Sequence, residues 1–215
     1  MQIFIGYDPR QPIAEAVLRH SIASRSSKPI PITRLQLDQL PIVRRGLTEF
    51  TYSRFLVPYL CDYKGMGLFM DADMLCLDDI VHLFEEFNPE HAVQVVKNKQ
   101  RFEWPSLMLF NCEKCKVLTP EFVDTSDQLF KMTWGDVGEL PAEWNYCVGY
   151  DPVPNESPMH FTEHINVNII HYTKGIPVWP ETQDCTFAEA WHTERRAMMS
   201  TVSFNELMGR SVHVK

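Results

Sequence analysis

Met66-Gly67-Leu68-Phe69-Met70-Asp71-Ala72-Asp73 is the stretch on which the fold turns. Five apolar residues in a row, too few for a helix, read as a strand buried on both faces, the kind found inside a parallel sheet. Two carboxylates follow at once. Separated by one small residue on an extended segment, Asp71 and Asp73 project the same way. Two such charges repel unless a cation lies between them. Hard oxygen ligands suit Mg²⁺ or Mn²⁺, which also bind phosphate. In open α/β sheets ligands bind outside the carboxyl ends of strands, where this pair falls. Asp-x-Asp alone equally suits a solvated turn that caps a helix near Asp78.

Outward from this strand, elements alternate. Residues 2–6 are apolar and β-branched and run into the turn Gly6-Tyr7-Asp8-Pro9. Residues 12–25 carry helical spacing, with Pro12 suited to a first turn. Residues 30–37 alternate as a second strand. Residues 49–61 place Tyr52, Phe55, Leu56 and Tyr59 on one stripe, and Pro58 within it predicts a short or kinked helix. Residues 78–87 read as helix, and 91–97 and 106–111 as strands. Residues 119–132 read as a helix capped by Thr119 with Pro120 at its first position. Residues 133–164 are irregular, 165–172 alternate into His171, and 186–200 form a last helix. The C-terminal fifteen residues are weakly patterned. Strand–helix alternation without repeat or linker predicts one α/β domain over residues 1–215, with a mostly parallel sheet.

The chain has 215 residues and a formal charge of −8, from 28 acidic and 20 basic residues. It lacks the basic runs that a nucleic-acid partner requires. No stretch approaches the roughly 18 apolar residues of a membrane helix. The start has no basic n-region, so a cytoplasmic location is expected. The six cysteines are scattered; Cys112-x-x-Cys115 has no second pair for zinc, and free thiols are expected.

Four segments in order resemble the retaining glycosyltransferases of family 8, the group that includes glycogenin and bacterial lipopolysaccharide sugar transferases. They are Ile5-Gly6-Tyr7-Asp8, Thr51-Tyr52-Ser53-Arg54-Phe55-Leu56-Val57-Pro58, Phe69-Met70-Asp71-Ala72-Asp73-Met74-Leu75, and Ile170-His171-Tyr172-Thr173-Lys174-Gly175-Ile176-Pro177-Val178-Trp179. The resemblance spans roughly residues 1–180, and the joint occurrence is more specific than any piece. The chain departs from the family in the last motif. Gly175 stands four after His171 rather than three, and Ile176 replaces the lysine before proline. The family's Asn-x-Gly is absent; Trp104-Pro105-Ser106 stands before the strand instead.

The resemblance implies a single-domain, Rossmann-like GT-A fold and transfer of a hexose, glucose or galactose, from a UDP-sugar to an acceptor hydroxyl with retention. The acceptor is unknown: a glycan, a lipid-linked or a protein hydroxyl. Asp71, Asp73 and His171 are expected to hold Mn²⁺ or Mg²⁺. Gly6, Tyr7 and Asp8 are expected at the nucleoside, and Arg54, Ala72, Lys174 and Gly175 at the diphosphate. Asp136, in a Gly-flanked loop, is taken as the carboxylate near the anomeric carbon, in preference to Asp127-Gln128. Read from residues alone, each has a plainer alternative: a structural histidine, a surface arginine, an Asp-Pro turn, a loop carboxylate capping amides. Two other functions stay open. One is a haloacid-dehalogenase-like phosphotransferase, whose Asp-x-Asp normally ends the first strand. The other is a non-catalytic sugar-nucleotide or glycan-binding protein.

Overall fold

The computed structural model describes residues 1–152 and 167–200. The C-terminal fifteen residues, the end of the irregular 133–164 stretch and the beginning of the 165–172 strand lie outside the described residues. The elements are β1 (Gln2–Gly6), α1 (Pro12–Arg25), β2 (Ile32–Leu35), α2 (Val57–Leu60), β3 (Met66–Met70), β4 (Met74–Cys76), α3 (Ile80–Glu85), β5 (Val93–Val95), β6 (Leu107–Asn111), α4 (Pro120–Thr125), β7 (Val137–Glu139), β8 (Tyr146–Cys147), β9 (Ile169–His171) and α5 (Ala188–Ser200). Short 3₁₀ turns at Ser53–Leu56 and Arg101–Ser106 precede α2 and β6.

The central sheet has the order β2-β1-β3-β6-β5-β7. β1 pairs parallel with β2 and β3, and β5 pairs parallel with β7. β6 is antiparallel to both β3 and β5. The expected mostly parallel α/β sheet is therefore present, with β6 alone reversed. A second sheet, β4-β9-β8, was not anticipated. Its β4 is three residues long and starts directly after Asp73, too short to give a period in sequence.

The pleat of the central sheet divides the core. Ile3, Ile5, Leu68, Met70, Leu107 and Leu109 face α1 and Trp191 of α5. Phe4, Phe69, Met108 and Phe110 face the opposite way, toward Phe55, Val57 and Val123. Each fully buried side chain of this size contributes about 1.5–3 kcal/mol. Thr119 caps α4 by accepting from the Phe122 amide at 3.2 Å, but the helix ends at Thr125, not at 132 as expected. The residues beyond turn inward instead, and Leu129 and Met132 join the core from turns. Among the described residues, no helix is long and apolar enough to cross a membrane.

Candidate metal and nucleotide site

Asp71, Ala72 and Asp73 are the bridge between the two sheets. The Asp71 amide donates to the Ser106 carbonyl at 2.9 Å, prolonging the β3–β6 ladder by one step. The Asp73 carbonyl accepts from the Tyr172 amide at 2.9 Å, prolonging the β4–β9 ladder. In that ladder Met74 pairs with His171. The antiparallel register therefore carries the imidazole back to the carboxylates, although nearly a hundred residues separate them in sequence.

One ligand atom each from Asp71, Asp73 and His171 lies within 4.8 Å of the other two. His171 Nε2 is 3.4 Å from Asp73 Oδ1, and its ring is 2% exposed. Arg54 Nη2 stands 3.1 Å from Asp71 Oδ1. That contact is an ion pair without hydrogen-bonding alignment. Asp71 Oδ1 and Asp73 Oδ1 are both buried and, among the described residues, have no hydrogen-bond donor. Buried carboxylate oxygens without donors are costly. Two hard oxygens and an imidazole nitrogen are a fitting donor set for Mn²⁺ or Mg²⁺, and such an ion would supply the missing partner.

The protonation of the group follows from its burial. Desolvation pushes the Asp71 carboxyl up to about 7 against the pull of Arg54, and the neighbouring Asp73 adds to the rise. For His171, burial alone would lower the value; Asp73, Cys147 and Asp71 outweigh it and hold the ring well above its ordinary range. Glu103, 3.8 Å from His171 Nδ1, is raised by burial, with His171 opposing.

Beside the group, a cavity of about 90 Å³ is bounded by Asp8, Arg10, Thr48, Phe50, Ala72 and Asp73. The end of β1 and the end of β3 thus meet there, with Asp8 and Ala72 in its wall. Asp8 accepts from the Arg10 amide and guanidinium, and this side-chain bond holds its carboxyl below the usual range. Tyr7 lies beneath the Arg34 guanidinium at 4.2 Å, and Arg34 in turn binds buried Glu15 at 2.7 Å. Gly6 is required by packing: a Cβ there would come within 2.4 Å of the Phe50 ring.

Three other expectations meet a different geometry. Arg54 is 8% exposed, and Nη1 donates to the Pro105 carbonyl at 2.8 Å. Its guanidinium is spent on Pro105 and Asp71, not held open for a diphosphate. The reason is the buried Asp71 charge, which a cation must offset. Gly175 has φ +109°, and its amide donates to the Tyr172 carbonyl at 2.7 Å. Glycine serves this turn, and its N–H is already committed. Lys174 lies against Gly149, its amino group 5.4 Å over the Tyr150 ring.

Asp136 is not brought to the group. It precedes β7, where Val137 is level with Val93, Phe110 and hence Gly67, at the start of β3. Asp71 follows the other end of β3, about 13 Å away along the strand direction alone. The Asp136 side chain is 70% exposed and meets His91 Nδ1 at 2.5 Å. A glycine-flanked loop position carried no information about which end of the sheet it would occupy. Asp127 is likewise engaged elsewhere, with Lys131 at 2.9 Å. Conversely, Glu103 enters the site unannounced, and Ser106 and Asn145, read only as lying before a strand and at the site's edge, lie directly behind His171. Asn145 Oδ1 is 3.1 Å from His171 Nδ1. A lone asparagine beside Trp144 and a glutamate in Phe102-Glu103-Trp104-Pro105 offer no signal by spacing.

These features define the fold, GT-A, and the solved structures similar to it include glycosyltransferases. The galactosyltransferase LgtC, in complex with donor and acceptor sugar analogues, superposes with a TM-score of 0.62 at 13% identity, over 95% of this chain and 98% of that one. The glycosyltransferase GlyE of Streptococcus pneumoniae superposes with a TM-score of 0.61 at 16% identity, over 100% of this chain and 66% of that one. The family itself is given by sequence. Protein CDI of Arabidopsis thaliana is 34% identical over 227 aligned positions, covering 90% of this chain and 85% of that protein. The chain belongs to the family of Protein CDI. No family model matches it. Asp71-Ala72-Asp73 ends the third strand of a GT-A sheet, not the first strand that the haloacid-dehalogenase-like alternative normally uses.

Proposed function

We propose that the protein is a metal-dependent glycosyltransferase that moves a hexose from a UDP-sugar to an acceptor hydroxyl with retention. The observation that carries this reading is the convergence of two donorless carboxylate oxygens and a buried imidazole at the carboxyl end of β3. A cavity shared with Asp8 adjoins them. Tyr7 and Asp8 would receive the nucleoside, with Tyr7 fixed by Arg34 and Asp8 by Arg10. Asp71, Asp73 and His171 would hold Mn²⁺ or Mg²⁺, which when bound neutralises diphosphate charge as it builds on the leaving oxygen. Arg54 holds Asp71 in place and offsets its charge. Lys174 is the flexible cation for the diphosphate, reaching it from its rest over Tyr150. The departing diphosphate takes the acceptor proton, and Asp136 has no part in the reaction.

The GT-A likeness supports this reading at the level of fold, and LgtC and GlyE lend it a glycosyltransferase precedent. A screen of UDP-hexoses for hydrolysis or transfer in the presence of Mn²⁺ is the test. Turnover of UDP-glucose or UDP-galactose is expected. UDP binding without turnover of any donor would replace the enzyme with a binding protein.

A further inference from the structure

Behind His171, beside the Cys147 thiol, runs a line of buried polar groups that gives its hydrogen bonds a direction. It starts at the backbone carbonyl of Glu103, which can only accept. The Ser106 hydroxyl donates to it. Having spent its proton, Ser106 Oγ must accept from its other neighbour, Asn145, at 3.1 Å. Asn145 therefore turns its NH₂ toward Ser106 and its Oδ1 toward His171. That oxygen, 3.1 Å from Nδ1, can only accept, so Nδ1 carries a proton. On the other side of the ring Asp73 Oδ1 is the competing acceptor, 3.4 Å from Nε2 and so farther than the 3.1 Å Asn145 contact at Nδ1. Ser106 and Asn145 are each 1% exposed, so these bonds are largely shielded from bulk solvent. Amide orientation is ordinarily an assignment; here the carbonyl at the head of the line dictates it.

We infer that Asn145 is a positioning residue: through the Glu103–Ser106–Asn145 line it keeps the His171 proton on Nδ1 and leaves Nε2 as the lone-pair nitrogen facing Asp73 and Asp71. Nε2 is the ring nitrogen on the carboxylate side, 3.4 Å from Asp73 Oδ1. An imidazole with its proton on Nε2 would point a hydrogen at the cation position and could not ligate there. Neighbours that hold the far nitrogen of a ligating histidine fix its tautomer and ring plane and raise its basicity. Ser106 does this twice over, since its carbonyl also receives the Asp71 amide. One residue thereby sets the relative placement of two ligands from different sheets.

This inference rests on the proposed cation site, and its test separates the two. Nitrogen-15 spectra of the histidine rings are recorded on metal-free protein at alkaline pH, where the ring is neutral, and on protein with Mg²⁺ and UDP. His171 is expected to show Nδ1–H in both. Mn²⁺ affinity is measured by calorimetry alongside. Asn145→Leu should mix the tautomers and weaken Mn²⁺ binding about 10–100-fold. Asn145→Asp, which keeps an acceptor at Nδ1 but loses the donor to Ser106, should keep Nδ1 protonated and bind Mn²⁺ more tightly than Asn145→Leu. An Nε2–H ring in the wild-type protein overturns the inference. So does a folded Asn145→Leu protein with unchanged tautomer and affinity. Should Asn145→Leu not fold, the wild-type spectra and Asn145→Asp still decide. Wild-type protein with Nδ1–H but no Mn²⁺ binding would sink the cation reading while upholding the role of Asn145.

Discussion

Asp71 and Asp136 are the same residue beside strands that run the same way, yet they occupy opposite ends of the sheet. Asp71 follows β3; it is 8% exposed, faces a buried arginine, and has an oxygen with no donor. Asp136 precedes β7, stands in solvent and is satisfied by His91. The carboxyl end of β3 can hold an unsatisfied charge because β4, β9 and the Arg101–Ser106 turn fold over it. At the amino end of β7 His91 and exposure to solvent satisfy the carboxylate, and no ligand is needed to do so. Position relative to strand direction, not residue type, decides which carboxylate is chemically loaded.

The largest effect should come from the loaded end. Asp73→Asn replaces an anionic ligand with a neutral amide, and Mn²⁺-dependent UDP binding should fall below detection while circular dichroism stays unchanged. Retained binding would mean that Asp73 is not a ligand.

Next is Arg54. Removing one partner of a buried ion pair costs about 3–5 kcal/mol because the other charge is left unpaired. Arg54→Met should lose stability of that order in urea denaturation at pH 8, and adding Asp71→Asn should restore most of it. If Arg54 instead served only a phosphate, Arg54→Met would weaken UDP binding and leave denaturation untouched.

The pH response should split by metal. Asp71 is raised to about 7 from an ordinary carboxylate value. The folded protein therefore holds a proton that the unfolded chain has lost, and stability of the metal-free protein falls as pH rises from about 4 to 7. His171, also raised, adds a contribution that is full below its unfolded value and is lost as pH rises through the folded one. Cation affinity must run the other way, strengthening as pH climbs through 7 and these protons leave. Urea denaturation and Mn²⁺ titration across pH 5–9 test the opposite slopes; parallel slopes would contradict the assignment of both protons.

The smallest effect is expected at the opposite end. Asp136→Asn should leave UDP–Mn²⁺ binding and turnover at wild-type levels. A large loss of turnover would return Asp136 to the active site and require a different closed form of the molecule.

The loaded end was readable because its parts are contiguous. An apolar run ending in Asp71-Ala72-Asp73 is a strand with two carboxylates attached, and Pro58 correctly announced a short helix. His171 was readable only through its resemblance motif, because its meeting with Asp73 depends on the Met74–His171 register between two three-residue strands. From sequence, Arg54 reads as a diphosphate ligand or a surface arginine. No local pattern says that Asp71 will draw it inward. Asn145 and Ser106 act through hydrogen-bond direction, a property of three-dimensional neighbours with no periodicity in the chain.

The central claim is that a divalent cation joins Asp71, Asp73 and His171 to a nucleoside diphosphate. Calorimetric titration of the full chain with UDP, with and without Mn²⁺, tests it most directly. The cation is expected to be required for measurable UDP binding. Equal UDP affinity in the two conditions would contradict it.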